Sequence, residues 1–365
     1  MLFYACQSSW EWIFREALAD FDPVQLKSLR LLREKVDIEH PLPRQRGGAS
    51  TFSFIEGGKI YAGDTDVFSS PLEDKDSLVT FVRKCGAASF IVPSILLPYD
   101  FHLSVKGDLD LPSVPAVLKT PLGSCGNGVH FVWTGEEVLK LVSMNYDRAS
   151  APGLLEEIQA QKGRIPEWVL QKEVRSKLLD GKKFHLRAYV LAVEEENGDL
   201  GIYQYVKDYE VRIASETIDE WGGNNTERPR AAHLTNGASS APTRRCLLSN
   251  IPSIESARLE SFVAGFFQKL RTSMNAYTKN DGCCHFGLSG VDIMVDEDGD
   301  MAVLEVNAYP AAPPEDDLAG DYEGMLFHEH LIQLGKSVFG FLRLKSEERG
   351  ERGDFINVDE IECVL

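Results

Sequence analysis

Two oxygen-bearing side chains lie within an otherwise apolar stretch, MAVLEVNAYPAAP (301–313). Glu305 and Asn307 alternate with Leu304 and Val306, so strand geometry places the two polar side chains on one face. A buried carboxylate is unfavourable unless a positive charge meets it. The pattern therefore indicates a cation site on this strand.

The preceding apolar run, GVDIMV, adds a third oxygen ligand, Asp292. The turn at Asp298 and Gly299 predicts a hairpin that brings Asp292 beside Glu305. Three oxygen ligands with no cysteine or histidine beside them suit a hard cation such as Mg²⁺ better than zinc. Magnesium in turn suggests a nucleotide. The acidic residues of the turn itself, 296–298 and 300, are interpreted as solvent-exposed.

Lysines at the ends of predicted strands give a second signal. Three such lysines are flanked by apolar residues: Lys119 in AVLKT, Lys172 in VLQKEV and Lys183 in GKKFHLR. A lysine in that setting needs an anionic partner, and nucleotide phosphate is a good candidate. The run TPLGSCGNGVHFV after Lys119 contains Gly123, Gly126 and Gly128, whose backbone amides could lie over phosphates. It matches neither the P-loop nor the dinucleotide fingerprint, so a plain surface turn remains an alternative.

Arg187 in FHLRAYVL and Arg212 in YEVRIAS lie in strand patterns that could point them toward the face of Lys183. Planar guanidinium groups suit carboxylate or acyl-phosphate oxygens. A structural ion pair is the alternative for each arginine. Together with HLTN at 233–236, they favour a functional role.

Several elements would position these residues. Thr134 and Glu137 form a capping box that predicts a helix start, and the strands KKFHLRAYVLAVEE and DLGIYQYVKDYEVRIAS, linked by ENGD, are expected to pair antiparallel. Helical periodicity predicts long helices over about 253–277 and 326–343. The expected domains are an amino-terminal lobe (1–70), a central lobe (71–167), a carboxy-terminal lobe carrying the metal site (168–345) and a frayed acidic tail (346–365).

Composition excludes some classes of function. The net charge of −18 argues against a protein that grips nucleic-acid backbones, and no apolar stretch is long enough to span a membrane. Seven cysteines without CxxC spacing are typical of reduced thiols in the cytosol.

The motifs VLQKEV, GKKFHLRAYVL, VRIAS, AAHLTN and GVDIMVDEDGDMAVLEVNAYPA, in this order, resemble the tubulin-tyrosine ligase and ligase-like family of the ATP-grasp superfamily. The resemblance covers about 168–312 and is weaker upstream, in DKDSLVTFV, VPSILLP and VLKTPLGSCGNGV. It implies an α+β, ATP-grasp fold in which two α/β lobes enclose ATP, with a smaller amino-terminal lobe.

The resemblance also implies roles for individual residues. ATP would be bound by Lys75, Lys119, Gly126, Gln171, Lys172 and Lys183. Mg²⁺ would be held by Asp292, Glu305 and Asn307. Arg187 and Arg212 would act in catalysis at the acyl phosphate, and Thr235 and Asn236 would border the substrate. His185 stands where the family often has an acidic residue, so it is expected either to touch substrate or to be a packed histidine.

The implied activity is that of an ATP-dependent ligase, which joins a free amino acid (tyrosine, glutamate or glycine) to a protein carboxylate through an acyl phosphate. The implied acceptor is tubulin or another protein with an acidic tail, in the cytoplasm and at microtubules. Since the chain itself is acidic, Arg228, Arg230, Arg244 and Arg245 are expected to form a basic landing strip in a mobile loop. A non-catalytic binding module and a ligase acting on a non-tubulin acceptor are the alternatives.

Overall fold

The structure, a computed structural model, describes residues 2–5, 11–18, 25–26, 52–56, 59–63, 71–104, 116–121, 128–149, 159–160, 163–218, 230–233, 235, 244–277, 284–307, 310, 312–313, 322–343 and 354–363. These residues form a mixed α+β fold with two sheets whose strands pair mainly antiparallel. In the described part of the chain, no helix is both long and apolar enough to cross a membrane.

The larger sheet has twelve strands among the described residues. They are β1 (Leu2–Ala5), β2 (Gln25–Leu26), β3 (Phe52–Glu56), β4 (Lys59–Gly63), β9 (Leu178–Leu179), β10 (Lys182–Glu194), β11 (Leu200–Tyr205), β12 (Glu210–Thr217), β13 (Arg244–Leu247), β14 (Cys284–Val295), β15 (Met301–Asn307) and β16 (Phe355–Asn357). The main path runs β13-β12-β10-β14-β4-β3-β1-β2, and β15 pairs with the opposite end of β14. The predicted antiparallel pairing of β10 with β11 is confirmed.

The smaller sheet consists of β5 (Ser94–Leu97), β6 (Ala116–Lys119), β7 (Val129–Val132) and β8 (Trp168–Lys172), in the order β5-β8-β6-β7. All its pairings are antiparallel. An isolated bridge from Ile91, just before β5, to Val303 of β15 links this region to the larger sheet. The ends of the two sheets therefore lie close together.

Seven helices flank the sheets in the described residues: α1 (Glu11–Leu18), α2 (Lys75–Lys84), α3 (Phe101–Ser104), α4 (Gly135–Ala149), α5 (Arg230–His233), α6 (Ser256–Met274) and α7 (Tyr322–Arg343). Short 3₁₀ turns span Ala88–Phe90, Leu248–Asn250, Asn275–Tyr277 and Val358–Glu360. Both long predicted helices are present, as α6 and α7. The predicted helix start at Thr134 is confirmed, since Glu137 N–H donates to Thr134 Oγ1 at 3.2 Å. The Glu137 Oε2 atom accepts from Trp133 N–H at 2.6 Å, one residue before the N–H that a capping box uses.

Strand β10 is the centre of the molecule, because both of its faces are covered. Its even-numbered residues, such as Leu186 and Val190, pack with residues of α2 and α6. The odd-numbered Leu191 and Val193 pack with residues of α1 and α7. Because helices cover both faces of β10, its sequence is a nearly continuous run of apolar residues. The few charged residues within it therefore need partners inside the protein.

Three observations bear on the predicted organisation. Strand β4, in the predicted amino-terminal lobe, pairs parallel with β14 and extends the larger sheet. Strand β8 belongs to the smaller sheet, so the chain crosses to the larger sheet after Lys172 rather than before residue 168. The carboxy-terminal tail is not frayed over 354–363, because β16 pairs with β11 and Gln268 of α6 donates to Val358 O at 2.6 Å.

Candidate active site

A cleft of about 930 Å³, partly open to solvent, lies between the smaller sheet and one end of the larger sheet. Nine of the predicted site residues line it: Lys75, Lys119, Gln171, Lys172, Lys183, His185, Thr235, Asp292 and Glu305. The remainder of its wall is largely apolar and includes Val92, Val117, Val129, Phe131, Met294 and Leu304. The cleft thus combines an apolar slot with four lysines and two carboxylates of the predicted site.

The lysines reach the cleft from three directions. Lys75 is the first residue of α2, Lys119 ends β6 and Lys183 lies near the start of β10. Lys119 is 9% exposed, and its Nζ donates to Leu304 O at 3.5 Å across the gap between the sheets. Burial lowers the pKa of Lys119 to about 8, although Glu305 opposes the shift. A cation held there against its desolvation indicates that the cleft suits an anionic ligand.

The predicted pairing of Asp292 with Glu305 is confirmed, since the two residues are direct partners between β14 and β15. Asn307 joins them, because its Nδ2 donates to Asp292 Oδ2 at 3.1 Å and to Glu305 Oε1 at 3.4 Å. A register irregularity just after Asp292 marks a bulge of the kind that re-aims side chains near active sites.

The same three side chains can be tested as a magnesium site. An amide N–H group already bridges the two carboxylates, so a positive group fits between them, and rotation of the Asn307 amide would supply a third oxygen. Within the described residues, no cluster of three or more histidine, cysteine or acidic side chains could hold a metal. A hard cation held by these side chains would therefore have to take further ligands from water or a substrate.

Arg187, predicted to face the acyl phosphate, is not among the residues that line the cleft. Its Nε and Nη2 donate to the two oxygens of Asp292 at 2.6 and 2.8 Å, and both side chains are nearly fully buried. Gly290 makes room for this pair, since a Cβ there would lie 3.1 Å from Arg187 Cδ and 2.9 Å from Pro310 Cβ. Burial raises the pKa of Asp292, but Arg187 and the other positive groups around it together hold the pKa below its usual range.

Arg212 also lies outside the cleft lining and is held by an internal carboxylate. Its Nε donates to Glu210 Oε1 at 2.7 Å and its Nη2 to Oε2 at 3.2 Å. Glu210 also accepts from Arg245 at 3.1 Å and from the Tyr189 hydroxyl at 2.8 Å. Burial raises the pKa of Glu210, but Arg212 and Arg245 outweigh it and hold the pKa below its usual range. The structural ion pair, left open by the sequence, is what the structure shows for both arginines.

The expected basic landing strip is corrected in part. Arg244 and Arg245 lie in β13, where Arg244 is exposed and Arg245 is committed to Glu210. Arg230 begins α5. Arg228 lies outside the described residues, as do Gly126 and Asn236.

His185 is packed into the cleft wall with Thr235, because its Nδ1 hydrogen-bonds to Thr235 Oγ1. Burial lowers the pKa of His185 to about 4, while Asp292 opposes the shift. At neutral pH the ring is therefore uncharged, and the 3.6 Å between its Nε2 and Asp292 Oδ1 is too long for a hydrogen bond. The ring fills space beside Asp292 without neutralising it.

Within the glycine-rich run of the sequence, Gly128 directly precedes β7. Its φ is +79°, a conformation that favours glycine, and its carbonyl accepts from Thr120 N–H at 2.8 Å. A Cβ at Gly128 would collide with the Thr120 side chain at 1.9 Å from Oγ1. This glycine is therefore required by the turn itself.

Two groups near the cleft escaped the sequence reasoning. Glu210 shares a face with Arg212 two positions away, so the alternation rule could have revealed it. Ser94 of β5 gives no comparable signal, since a single serine at a strand start is common. It contacts the cleft residue Gln171, whose Nε2 donates to Ser94 Oγ at 3.0 Å.

Neither the models of known protein families nor the curated proteins include a match to this chain. Its function must therefore be argued from the residues and the geometry of the cleft.

Proposed function

We propose that this protein is an ATP-dependent carboxylate–amine ligase of the tubulin-tyrosine ligase-like type, with an ATP-grasp fold. The observation that carries the proposal is the convergence in one cleft of Lys75, Lys119, Lys172 and Lys183 with Asp292 and Glu305. Lysines on one wall and paired carboxylates on another match the needs of a polyphosphate and its divalent cation. The apolar slot between them suits a nucleotide base.

Each group has a part in such a reaction. The lysines would bind and orient the phosphates, and their charge would stabilise the negative charge of the phosphoryl group as it transfers. Glu305 and Asn307, with Asp292, would hold Mg²⁺, which would supply further charge neutralisation. Arg187 fixes the position of Asp292 rather than contacting the acyl phosphate, since both oxygens of that carboxylate are its partners. Thr235 and the uncharged His185 would border the acceptor.

The proposed acceptor is a protein carboxylate, with an acidic tubulin tail as first candidate and a non-tubulin protein as the alternative. The free amine of tyrosine, glutamate or glycine would attack the acyl phosphate to give an amide. The proposed site of action is the cytoplasm and the microtubule surface. Arg245 is committed to Glu210, whereas Arg244 is exposed on β13, where an acidic tail would approach the surface.

A second candidate function is a nucleotide-binding module without ligase activity. It is favoured by one observation: Arg187 and Arg212 are both engaged by internal carboxylates, so neither is free to stabilise an acyl phosphate. Binding of nucleotide would then serve a structural or regulatory purpose.

One experiment separates these candidates. The protein is incubated with ATP, Mg²⁺, tubulin and labelled amino acids, and label transfer and nucleotide-induced thermal stabilisation are both measured. Lys183→Met is expected to reduce both, whereas Lys177→Met is expected to change neither, because Lys177 lies outside the cleft and donates to Ser253 O. Stabilisation without label on any protein supports the binding module. No stabilisation and no label refute both candidates.

A further inference from the structure

An arginine outside the cleft contacts the first turn of α2. Arg164 donates from both of its Nη atoms to the Asp76 carboxylate, with 3.0 Å between Nη2 and Oδ1. Its Nη2 also donates to Asp74 Oδ2 at 3.2 Å and to Ser77 Oγ. One guanidinium group therefore contacts three side chains that surround Lys75 in the sequence.

Lys75 itself lines the cleft, whereas Arg164 is not among the residues that line it. Lys75 is the first residue of α2, and consecutive side chains of a helix point in directions about 100° apart. When Asp76 and Ser77 are turned toward Arg164, Lys75 is directed to a different side of the helix. The contacts of Arg164 thus set the direction of the lysine.

The same cluster joins α2 to the strand that forms another part of the cleft wall. Asp76 is 2% exposed, and its Oδ2 accepts from Glu167 N–H at 2.8 Å. Glu167 directly precedes β8, which carries Lys172 of the cleft lining. The position of Lys75 is therefore fixed relative to Lys172 as well as to its own helix.

One contact of Arg164 replaces an interaction that would stabilise the helix start. Asp74 is the N-cap residue of α2, yet its side chain makes no capping hydrogen bond. An aspartate at this position usually accepts from an N–H group of the first turn. Here the carboxylate accepts from Arg164 instead, which indicates that the cluster does more than begin the helix.

Lys75 needs support because two electrostatic effects oppose its placement. A positive charge is unfavourable at the N-terminal end of a helix. Burial is the main cause that lowers the pKa of Lys119, and Lys75 adds to that shift, so the two ammonium groups repel each other. Fixing the first turn of α2 keeps Lys75 at the cleft despite this repulsion.

We infer that Arg164 is a positioning residue for Lys75: it fixes the first turn of α2 so that the ammonium group faces the phosphates of a nucleotide in the cleft. The inference rests on the proposed nucleotide function and adds a residue outside the cleft on which affinity depends. The effect of Arg164 on binding must then be transmitted through Lys75.

A double-mutant cycle tests this dependence, with the affinity for ATP and Mg²⁺ measured by calorimetric titration at a temperature where every variant is folded. Lys75→Met is expected to weaken binding roughly tenfold, and Arg164→Met at least about threefold, as for the loss of a hydrogen bond to a charged group. In the Lys75→Met background, Arg164→Met is expected to weaken binding by less than about twofold, because the group that it positions is already absent. A merely structural role of Arg164 would weaken binding by the same factor in both backgrounds.

Two outcomes would refute the inference while leaving nucleotide binding intact. One is an equal loss of affinity from Arg164→Met in the two backgrounds, and the other is an unchanged affinity in either single variant. If the unaltered protein binds no ATP, the proposed function is refuted and this inference with it.

If Arg164→Met does not fold, Arg164→Lys takes its place in the cycle. Lysine keeps a positive charge beside Asp76, but it lacks the planar fork that reaches Asp74 and Ser77 at the same time. The same dependence on Lys75 is expected, and additive losses would again overturn the inference. Arg258→Met serves as the control, since its ion pair with Asp300 is exposed, and it is expected to leave the affinity unchanged in both backgrounds.

Discussion

Replacing Arg187 by methionine is expected to destabilise the protein and, in the absence of nucleotide, to make its stability respond to magnesium more strongly than that of the unaltered protein. Arg187 donates two hydrogen bonds, at 2.6 and 2.8 Å, to Asp292, and the two side chains are 3% and 2% exposed. Methionine fills much of the same space without charge. Asp292 would then be a buried carboxylate that keeps a hydrogen bond from the Asn307 amide at 3.1 Å.

The magnitude follows from the burial of the pair. Removing one partner of a buried ion pair lowers the free energy of unfolding by about 3–5 kcal/mol. At about 2.1 cal/mol/K per residue, a chain of 365 residues has an unfolding entropy of roughly 0.8 kcal/mol/K. The expected fall in melting temperature is therefore roughly 4–6 °C.

Calorimetry of Arg187→Met with and without Mg²⁺, in the absence of nucleotide, measures both effects. Mg²⁺ is expected to restore part of the lost stability, because Asp292 and Glu305 would otherwise lie side by side without Arg187. Arg258→Met is the matched control, since the Arg258–Asp300 pair is exposed and is expected to contribute less than about 1 kcal/mol. The reasoning is refuted if the two variants melt within a degree of each other, or if Mg²⁺ stabilises the unaltered protein as much as Arg187→Met.

Three further predictions concern buried charges around the cleft. Lys119→Met is expected to stabilise the nucleotide-free protein at pH 7 by up to roughly 3 kcal/mol, measured by chemical denaturation. The reason is that burial lowers the pKa of Lys119 to about 8, so the charged form opposes folding. A loss of stability would contradict this prediction. His185→Asn is expected to reduce the fall in the free energy of unfolding between about pH 6.5 and pH 4. Burial lowers the pKa of His185 from 6.5 to about 4, so the unfolded chain takes up the proton first as pH falls, and folding becomes less favourable. Parallel pH profiles of the variant and the unaltered protein would refute this prediction. Asp76→Asn is expected to lower the free energy of unfolding by roughly 1–3 kcal/mol. The reason is that the Asp76 carboxylate accepts hydrogen bonds from Arg164 and from Glu167 N–H. A change within experimental error in denaturant titrations would argue against this prediction.

The local features of this fold could be predicted from the sequence because they depend on short-range patterns. Alternation predicted that Glu305 and Asn307 share a face, and the acidic turn predicted the hairpin that sets Asp292 opposite Glu305. The pairing of β14 with β15 confirms this arrangement. Helical periodicity likewise predicted α6 and α7 close to their observed bounds.

The features that were missed depend on pairings between distant segments. Arg187 is opposite Asp292 on one side and Glu210 on the other, so its partners are fixed by the register of three strands. No local pattern specifies that register. The parallel pairing of β4 with β14 is similarly non-local, which is why the amino-terminal strands could not be assigned to the larger sheet from sequence alone.

The pairing of the arginines changes how the cleft must attract its ligand. Arg187 forms an ion pair with Asp292, and Arg212 forms one with Glu210. The positive charge that faces the cleft is therefore that of its lysines. Burial lowers the pKa of Lys119, so the charged form of this lysine is disfavoured, and a multiply charged anion beside it would offset that cost. The carboxylate pair on the facing wall would then repel that anion unless a divalent cation entered with it. The charges of the cleft therefore favour a metal-bound polyphosphate over either a free phosphate ester or a free metal ion.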